Sequence, residues 1–85
     1  MNKTIFNARY LCMISLFKQR RLALGMRQVD VAGRLGWDRN TIARIESRQR
    51  RLDVMEAHLL ATALGLKLHE IVKVLEINAP HRKSA

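Results

Sequence analysis

The sequence predicts an all-α fold, and two observations support it. Apolar residues recur at the spacing of one helix face, as in Tyr10, Ile14 and Phe17, which stand at i, i+4 and i+7. The apolar runs also end at residues that let a chain leave a helix sharply, namely Gly25, Gly36 and Gly65. With 85 residues and a hydrophobic fraction of 48%, the chain can form one small core. We therefore expect a single helical domain over residues 1–77.

The first half of the chain predicts three helices. The first spans about Ala8 to Leu24, after a flexible lead-in of residues 1–7. The second runs from Gln28 to Leu35 and ends at Gly36, which is expected in the left-handed conformation. Asp38 is placed to cap the third helix, because its carboxylate can accept a backbone N–H one turn on.

The second half of the chain predicts two more helices. Asp53 and Glu56 have the spacing of a capping box at the start of the fourth helix. Its expected buried side consists of Val54, Ala57, Leu60, Ala61 and Leu64. The last helix, about Leu68 to Ile77, has more apolar side chains than one buried face requires, so either a second copy of the chain or the first helix must cover them. Residues 78–85 are expected to be a short, disordered basic tail.

The two faces of the third helix differ in chemistry. Ile42 and Ile45 are expected to face inward. The opposite face is polar, rich in hydrogen-bond donors and free of carboxylates: Arg39, Asn40, Ala43, Arg44 and Ser47. This composition suits an acidic partner.

The formal net charge of +9 is unevenly distributed along the chain. Residues 1–52 hold twelve Lys and Arg against three Asp and Glu, whereas residues 53–85 hold four of each. All of the excess positive charge therefore lies in the half that contains the third helix. A basic half joined to a neutral half is typical of a polyanion-binding surface backed by a packing or partner-binding surface.

Several other classes of protein are disfavoured. A single cysteine, Cys12, excludes an internal disulfide framework, fits a reducing compartment and is expected to be a core residue. No spacing of His, Cys, Asp and Glu suggests a metal site, and no cofactor is expected. No apolar run approaches the roughly 20 residues of a membrane span, so we expect no membrane association and a cytoplasmic location. No nucleophile and base share a recognisable spacing, which argues against an enzyme.

The segment from residue 26 to residue 51 resembles the helix-turn-helix of the Xre family, the small DNA-binding domains of the phage-repressor and Cro type. The match rests on nine spaced positions: Gln28, Val31, Ala32, Leu35, Gly36, Trp37, Ile42, Ile45 and Glu46. The likeness extends from about Tyr10 to Ile71. The resemblance implies a compact five-helix phage-repressor-like domain of bacteria or phages, whose third helix enters the major groove of DNA. The protein would then associate with the nucleoid when bound.

The resemblance implies roles for individual residues. Arg21 is expected to form a structural ion pair with Glu46, since an Arg fork suits a bidentate carboxylate, and a solvated arginine is the alternative. The side chains expected to contact base edges are Arg39, Asn40, Ala43 and Arg44. Those expected to contact phosphates are Arg27, Gln28, Thr41, Arg48, Arg50 and Arg51.

Three residues depart from the family pattern. Arg27 stands where the family prefers Ser or Thr as an N-cap, a loss of about 1 kcal/mol. Arg48 stands where the family often has a glycine that ends the third helix. Gly33 weakens the second helix by roughly 1 kcal/mol relative to alanine.

The sequence thus predicts a transcriptional regulator, a repressor that binds a palindromic operator as a homodimer through Ile71, Val74 and Leu75 of the last helix. An alternative is the antitoxin of a toxin–antitoxin module, which would bind DNA through the same motif and a toxin through the neutral half. A basic amphipathic protein acting at membranes is a weaker alternative, because helices punctuated by caps and glycines favour a packed domain.

Overall fold

A computed structural model describes residues 8–78 of the chain. Five helices follow one another: α1 (Ala8–Ala23), α2 (Gln28–Leu35), α3 (Arg39–Glu46), α4 (Val54–Ala63) and α5 (Leu68–Asn78). The predicted all-α, five-helix fold is confirmed. Asn78 is the last residue of α5 and not the first residue of the tail. The lead-in at residues 1–7 and residues 79–85 of the expected tail lie outside the described residues.

The helices enclose one apolar core. α2 packs against α3 and α4, α1 packs against α3 and α5, and α4 also contacts α5. Every helix contributes, and Leu52 adds a side chain from the loop before α4. The buried apolar residues are Ile14, Phe17, Val31, Ala32, Ile42, Ile45, Leu52, Ala57, Leu60, Ala61, Leu64 and Ile71. Because both isoleucines of α3 are fixed in this core, the orientation of the helix is set from inside.

Three expectations about burial are wrong. Val54 is 78% exposed, since the first turn of α4 extends beyond the core. Ile71, predicted to lie in a dimer interface, is buried in the core of its own chain with 5% exposure, because α5 turns this side chain toward the other helices. Cys12, expected in the core, is only half-buried.

The helix N-termini show one confirmed cap, one correction and one expected loss of a cap. Asp53 and Glu56 form the predicted capping box of α4. Asp38 stands at the N-cap of α3, but its side chain makes no capping hydrogen bond. At α2 the family's cap is missing as expected, and Asp30 partly replaces it, because its Oδ2 accepts the backbone N–H of Arg27 at 2.8 Å.

The C-terminal ends of α1 to α4 share one geometry. In each, a residue with positive φ lies at the C-cap or directly after it, and the next backbone N–H bonds back to a carbonyl of the last turn. The residues with positive φ are Gly25, Gly36, Arg48 and Gly65. Arg48 therefore adopts, with a φ of 70°, a left-handed conformation that glycine takes more readily than any other residue. The left-handed region costs a side-chain-bearing residue roughly 1–2 kcal/mol.

Two arginines of the basic half stabilise the C-terminal end of α4. Arg20 of α1 donates from Nε to the carbonyl of Leu64 at 2.9 Å, and Arg34 of α2 donates from Nη1 to the carbonyl of Ala63 at 2.8 Å. Cations at this end of a helix satisfy its unpaired carbonyls and complement its dipole. These two arginines stabilise the fold, so only part of the excess positive charge is available to a binding partner.

None of the helices within residues 8–78 is long and apolar enough to cross a membrane.

We expect opposite effects of substitutions at Gly36 and Arg48. A Cβ at Gly36 would meet no atom within 4 Å, so Gly36→Ala tests the backbone conformation alone and should lower the free energy of unfolding by about 1 kcal/mol. Arg48→Gly removes the same strain but adds freedom to the unfolded chain, so it should raise that free energy by up to about 1 kcal/mol. Denaturant unfolding measures both, and a destabilised Arg48→Gly variant would contradict this explanation.

Candidate nucleic-acid interface

α3 presents a polar face to solvent. Ile42 and Ile45 are buried, with 2% and 1% exposure, and they fix the opposite side of the helix outward. Arg39, Asn40 and Arg44 are exposed on that side. Ala43 is half-buried between them. All four side chains predicted to contact base edges therefore share one accessible surface, and the first turn of α3 has no acidic residue.

A buried ion pair supports this face from beneath. Arg21 of α1 donates from Nε to Oε2 of Glu46 at 2.7 Å and from Nη2 to Oε1 at 2.9 Å. Each side chain is only 9% exposed. The third nitrogen of the fork, Nη1, donates to the carbonyl of Met26 at 2.8 Å, and the hydrogen bond to Glu46 raises the pKa of Arg21. The structure thus contains the expected pair, and the pair joins α1 to the last turn of α3.

Gln28 connects this ion pair to the exposed face. Its Nε2 donates to Oε1 of Glu46 at 3.0 Å, and its Oε1 accepts from Nη1 of Arg39 at 3.0 Å. The buried Glu46 carboxylate therefore orients Arg39 through the Gln28 side chain. The sequence predicted a phosphate contact for Gln28 and gave no indication of this relay, because the residues are 11 and 18 positions apart in the chain.

The basic loop, residues 48–51, follows α3 and contacts α4 through Arg50 and α1 through Arg51. Arg50 forms an ion pair with Glu56 of α4, with Nη2 at 2.8 Å from Oε2 and Nη1 at 3.3 Å from Oε1. This pair lowers the pKa of Glu56. The Arg51 guanidinium lies 5.8 Å from the centre of the Tyr10 ring, and the Tyr10 hydroxyl accepts the Leu52 N–H at 3.0 Å.

Arg27, just before α2, is also paired. Its Nη2 lies 3.0 Å from Oδ1 of Asp30 and its Nε lies 3.1 Å from Oδ2. The arginine is exposed, and its side-chain hydrogen bonds are the main reason that the pKa of Asp30 is lowered. The pair spans i and i+3 on one helix turn, a spacing from which the sequence could have predicted it.

The predicted phosphate-contacting residues therefore differ in their availability. Arg27 and Arg50 are in ion pairs, Gln28 is in the relay, and Thr41 is half-buried on α3. Among residues 8–78, the side chains of Arg44 and Arg48 make no hydrogen bond or ion pair. The same part of the chain has no cluster of three His, Cys, Asp or Glu residues that would suit a metal ion.

We expect removal of the buried carboxylate to destabilise the domain. Glu46→Ala leaves the Arg21 guanidinium buried with only the Met26 carbonyl as acceptor, and it should lower the free energy of unfolding by about 2–4 kcal/mol. Thermal unfolding measures the loss. Glu76→Ala, which removes an exposed carboxylate from α5, is the matched control and should leave the midpoint nearly unchanged. Equal midpoints for both variants would show that the pair contributes nothing.

Comparison with known families and structures identifies this arrangement. A family model described as helix-turn-helix matches residues 17–71, from the middle of α1 into α5. A comparison with functionally curated proteins gave no match.

Two solved structures illustrate the likeness. An XRE-family like protein from Pseudomonas syringae pv. tomato str. DC3000 is 33% identical, with a TM-score of 0.83 over 89% of this chain and 93% of that chain. The tetramer of the restriction-modification controller protein C.Esp1396I, in complex with its natural 35 base-pair operator, is 26% identical, with a TM-score of 0.69 over 88% of this chain and 95% of that chain. The family match and the first of these structures show that the chain belongs to the XRE family of helix-turn-helix proteins.

Proposed function

We propose that this XRE-family protein is a sequence-specific double-stranded DNA-binding transcription regulator, a repressor that acts as a homodimer on a palindromic operator. The observation that carries the proposal is the exposed, carboxylate-free face of α3, held in place by the buried pair of Arg21 and Glu46. The operator complex of the similar controller protein supports the same use of the fold.

The face of α3 matches the chemistry of base edges in the major groove. The guanidinium groups of Arg39 and Arg44 suit the O6 and N7 acceptors of guanine, and the Asn40 amide suits N6 and N7 of adenine. Ala43 can contact a thymine methyl group. The relay through Gln28 favours Arg39 as a base-contacting residue, because a side chain oriented before binding loses less entropy on binding.

Phosphate contacts are assigned to the groups that surround α3. Arg48 is the strongest candidate, since its guanidinium is exposed and has no side-chain partner among residues 8–78. Arg51 lies in the same basic loop, Thr41 lies on α3, and Gln28 is the first residue of α2. Arg27 and Arg50 can contribute only if their ion pairs open or are shared.

Self-association is assigned to the exposed apolar side chains of α5. Ile71 is committed to the core and Leu75 is packed against it, so the interface differs from the one predicted. Val72, Val74 and Ile77 keep 42%, 38% and 71% of their surface exposed. An open apolar groove of about 380 Å³ lies between α1 and α5. A homodimer would present two copies of α3 to the half-sites of a palindrome.

The antitoxin alternative stays a prediction. Neither the fold nor the similar proteins named above point to a toxin partner.

The assignment of base and phosphate contacts is tested by Arg44→Ala and Arg48→Ala. An operator is first selected from random DNA. Arg44→Ala should remove a base contact worth about 1–3 kcal/mol per half-site and relax the preference at one base pair, with little effect on random duplex. Arg48→Ala should weaken binding to both duplexes equally and lower the salt slope by about one ion per protomer, because phosphates carry no sequence information. Binding is measured on both duplexes over a salt series. A uniform loss with both variants would make Arg44 a phosphate ligand.

The assignment of the dimer interface is tested at the most exposed apolar residue of α5. Ile77→Lys places a charge within the proposed interface and should shift sedimentation toward monomer, with weaker operator binding at low protein concentration. His58→Lys adds a charge at an exposed polar position of α4, outside the proposed interface, and should leave the dimer intact. The homodimer would be overturned if the wild-type protein sediments as a monomer and if its binding to DNA depends on the first power of the protein concentration.

A further inference from the structure

Two arginines expected to contact phosphates are held by carboxylates of their own chain. Asp30 binds Arg27 through two hydrogen bonds of 3.0 and 3.1 Å. Glu56 binds Arg50 through two of 2.8 and 3.3 Å. Both contacts are two-point arrangements, in which the arginine fork faces the two oxygens of one carboxylate.

The two carboxylates occupy equivalent positions. Each is the third residue of its helix, α2 or α4, and each accepts the backbone N–H of the residue before the helix. Asp30 accepts from Arg27 at 2.8 Å, and Glu56 accepts from Asp53 at 3.1 Å. The helix start therefore fixes the carboxylate, and the carboxylate fixes the arginine. α3, which bears the proposed base-contacting face, has no acidic residue in its first turn.

An arginine held in this way contributes little to sequence-independent binding. The carboxylate offsets its charge, so the pair attracts a phosphate and displaces counterions less than a free guanidinium does. Contact with a phosphate also requires the ion pair to open, or the carboxylate to remain close to a second anion. Arg44 and Arg48 have no such restraint from any side chain in residues 8–78.

We propose that Asp30 and Glu56 restrain the sequence-independent affinity of this protein for DNA by holding Arg27 and Arg50 in intramolecular ion pairs. The inference rests on the proposed function. It assigns a binding role to two acidic residues that otherwise only cap helices. Because the base-contacting face carries no carboxylate, the restraint acts on phosphate contacts and leaves base contacts free to select the site.

The test uses Glu56→Gln and Asp30→Asn in the full chain. Each amide oxygen still accepts the N–H at the helix start, while the negative charge that faces the arginine is lost. Each variant should bind a random-sequence duplex up to about fivefold more tightly at low salt, the range set by an exposed ion pair. The slope of log affinity against log salt should steepen by about one ion per protomer. Thermal unfolding confirms that each variant is folded.

Two controls separate this effect from a general change in charge. Glu76→Gln raises the net charge by the same unit at an exposed position of α5 that belongs to neither pair, and should change random-duplex affinity less than Glu56→Gln does. The double variant Arg50→Ala with Glu56→Gln should bind like Arg50→Ala alone, because no arginine remains to be released.

Each outcome decides a separate question. If the wild-type protein binds neither random duplex nor any duplex selected from random DNA, the proposed function fails. If the wild-type protein binds DNA but both amide variants match it, the restraint does not exist. A gain with Glu76→Gln as large as with Glu56→Gln, or a gain that persists without Arg50, would equally overturn the proposal.

Discussion

The buried ion pair of Arg21 and Glu46 is the contact on which the candidate interface depends. The three guanidinium nitrogens of Arg21 connect α1 to Glu46 in the last turn of α3 and to the carbonyl of Met26 before α2. A guanidinium this far from water is tolerated only when its donors are satisfied, so the pair permits one relative placement of these elements. Gln28 extends the same constraint to Arg39. A contact inside the core thus determines the geometry of a side chain on the surface.

The arginines of the basic half have different roles, although each carries the same positive charge. Arg20 and Arg34 bond to the C-terminal carbonyls of α4, and Arg21 lies in the buried pair. Arg27 and Arg50 are restrained by carboxylates. The net charge of +9 therefore overstates the positive charge that a polyanion can use. Within residues 8–78, Arg44 of α3 and Arg48 directly after it have neither a carbonyl nor a carboxylate partner for their guanidinium groups.

The C-terminal end of α3 differs from the other helix ends in the residue that takes the left-handed conformation. At α1, α2 and α4 a glycine takes the left-handed position, whereas at α3 an arginine does. The hydrogen bonds of the last turn form in all four cases, so the same helix end forms despite the conformational preference of Arg48. This conformation places Arg48, whose guanidinium has no side-chain partner among residues 8–78, directly after the helix that would contact base edges in the proposed complex. Natural domains accept small losses of stability of this kind at functional surfaces.

The sequence alone determined the elements of the fold and the face of α3, because helical periodicity, glycine stops and the capping box of Asp53 and Glu56 are local properties. The tertiary structure decided which charges are available, since the partner of Arg50 and the relay through Gln28 depend on side chains from different elements. It also decided the burial of α5: Ile71 was expected at an interface and lies in the core. Periodicity identifies an apolar face, but the packing of the neighbouring helices determines which part of that face stays exposed.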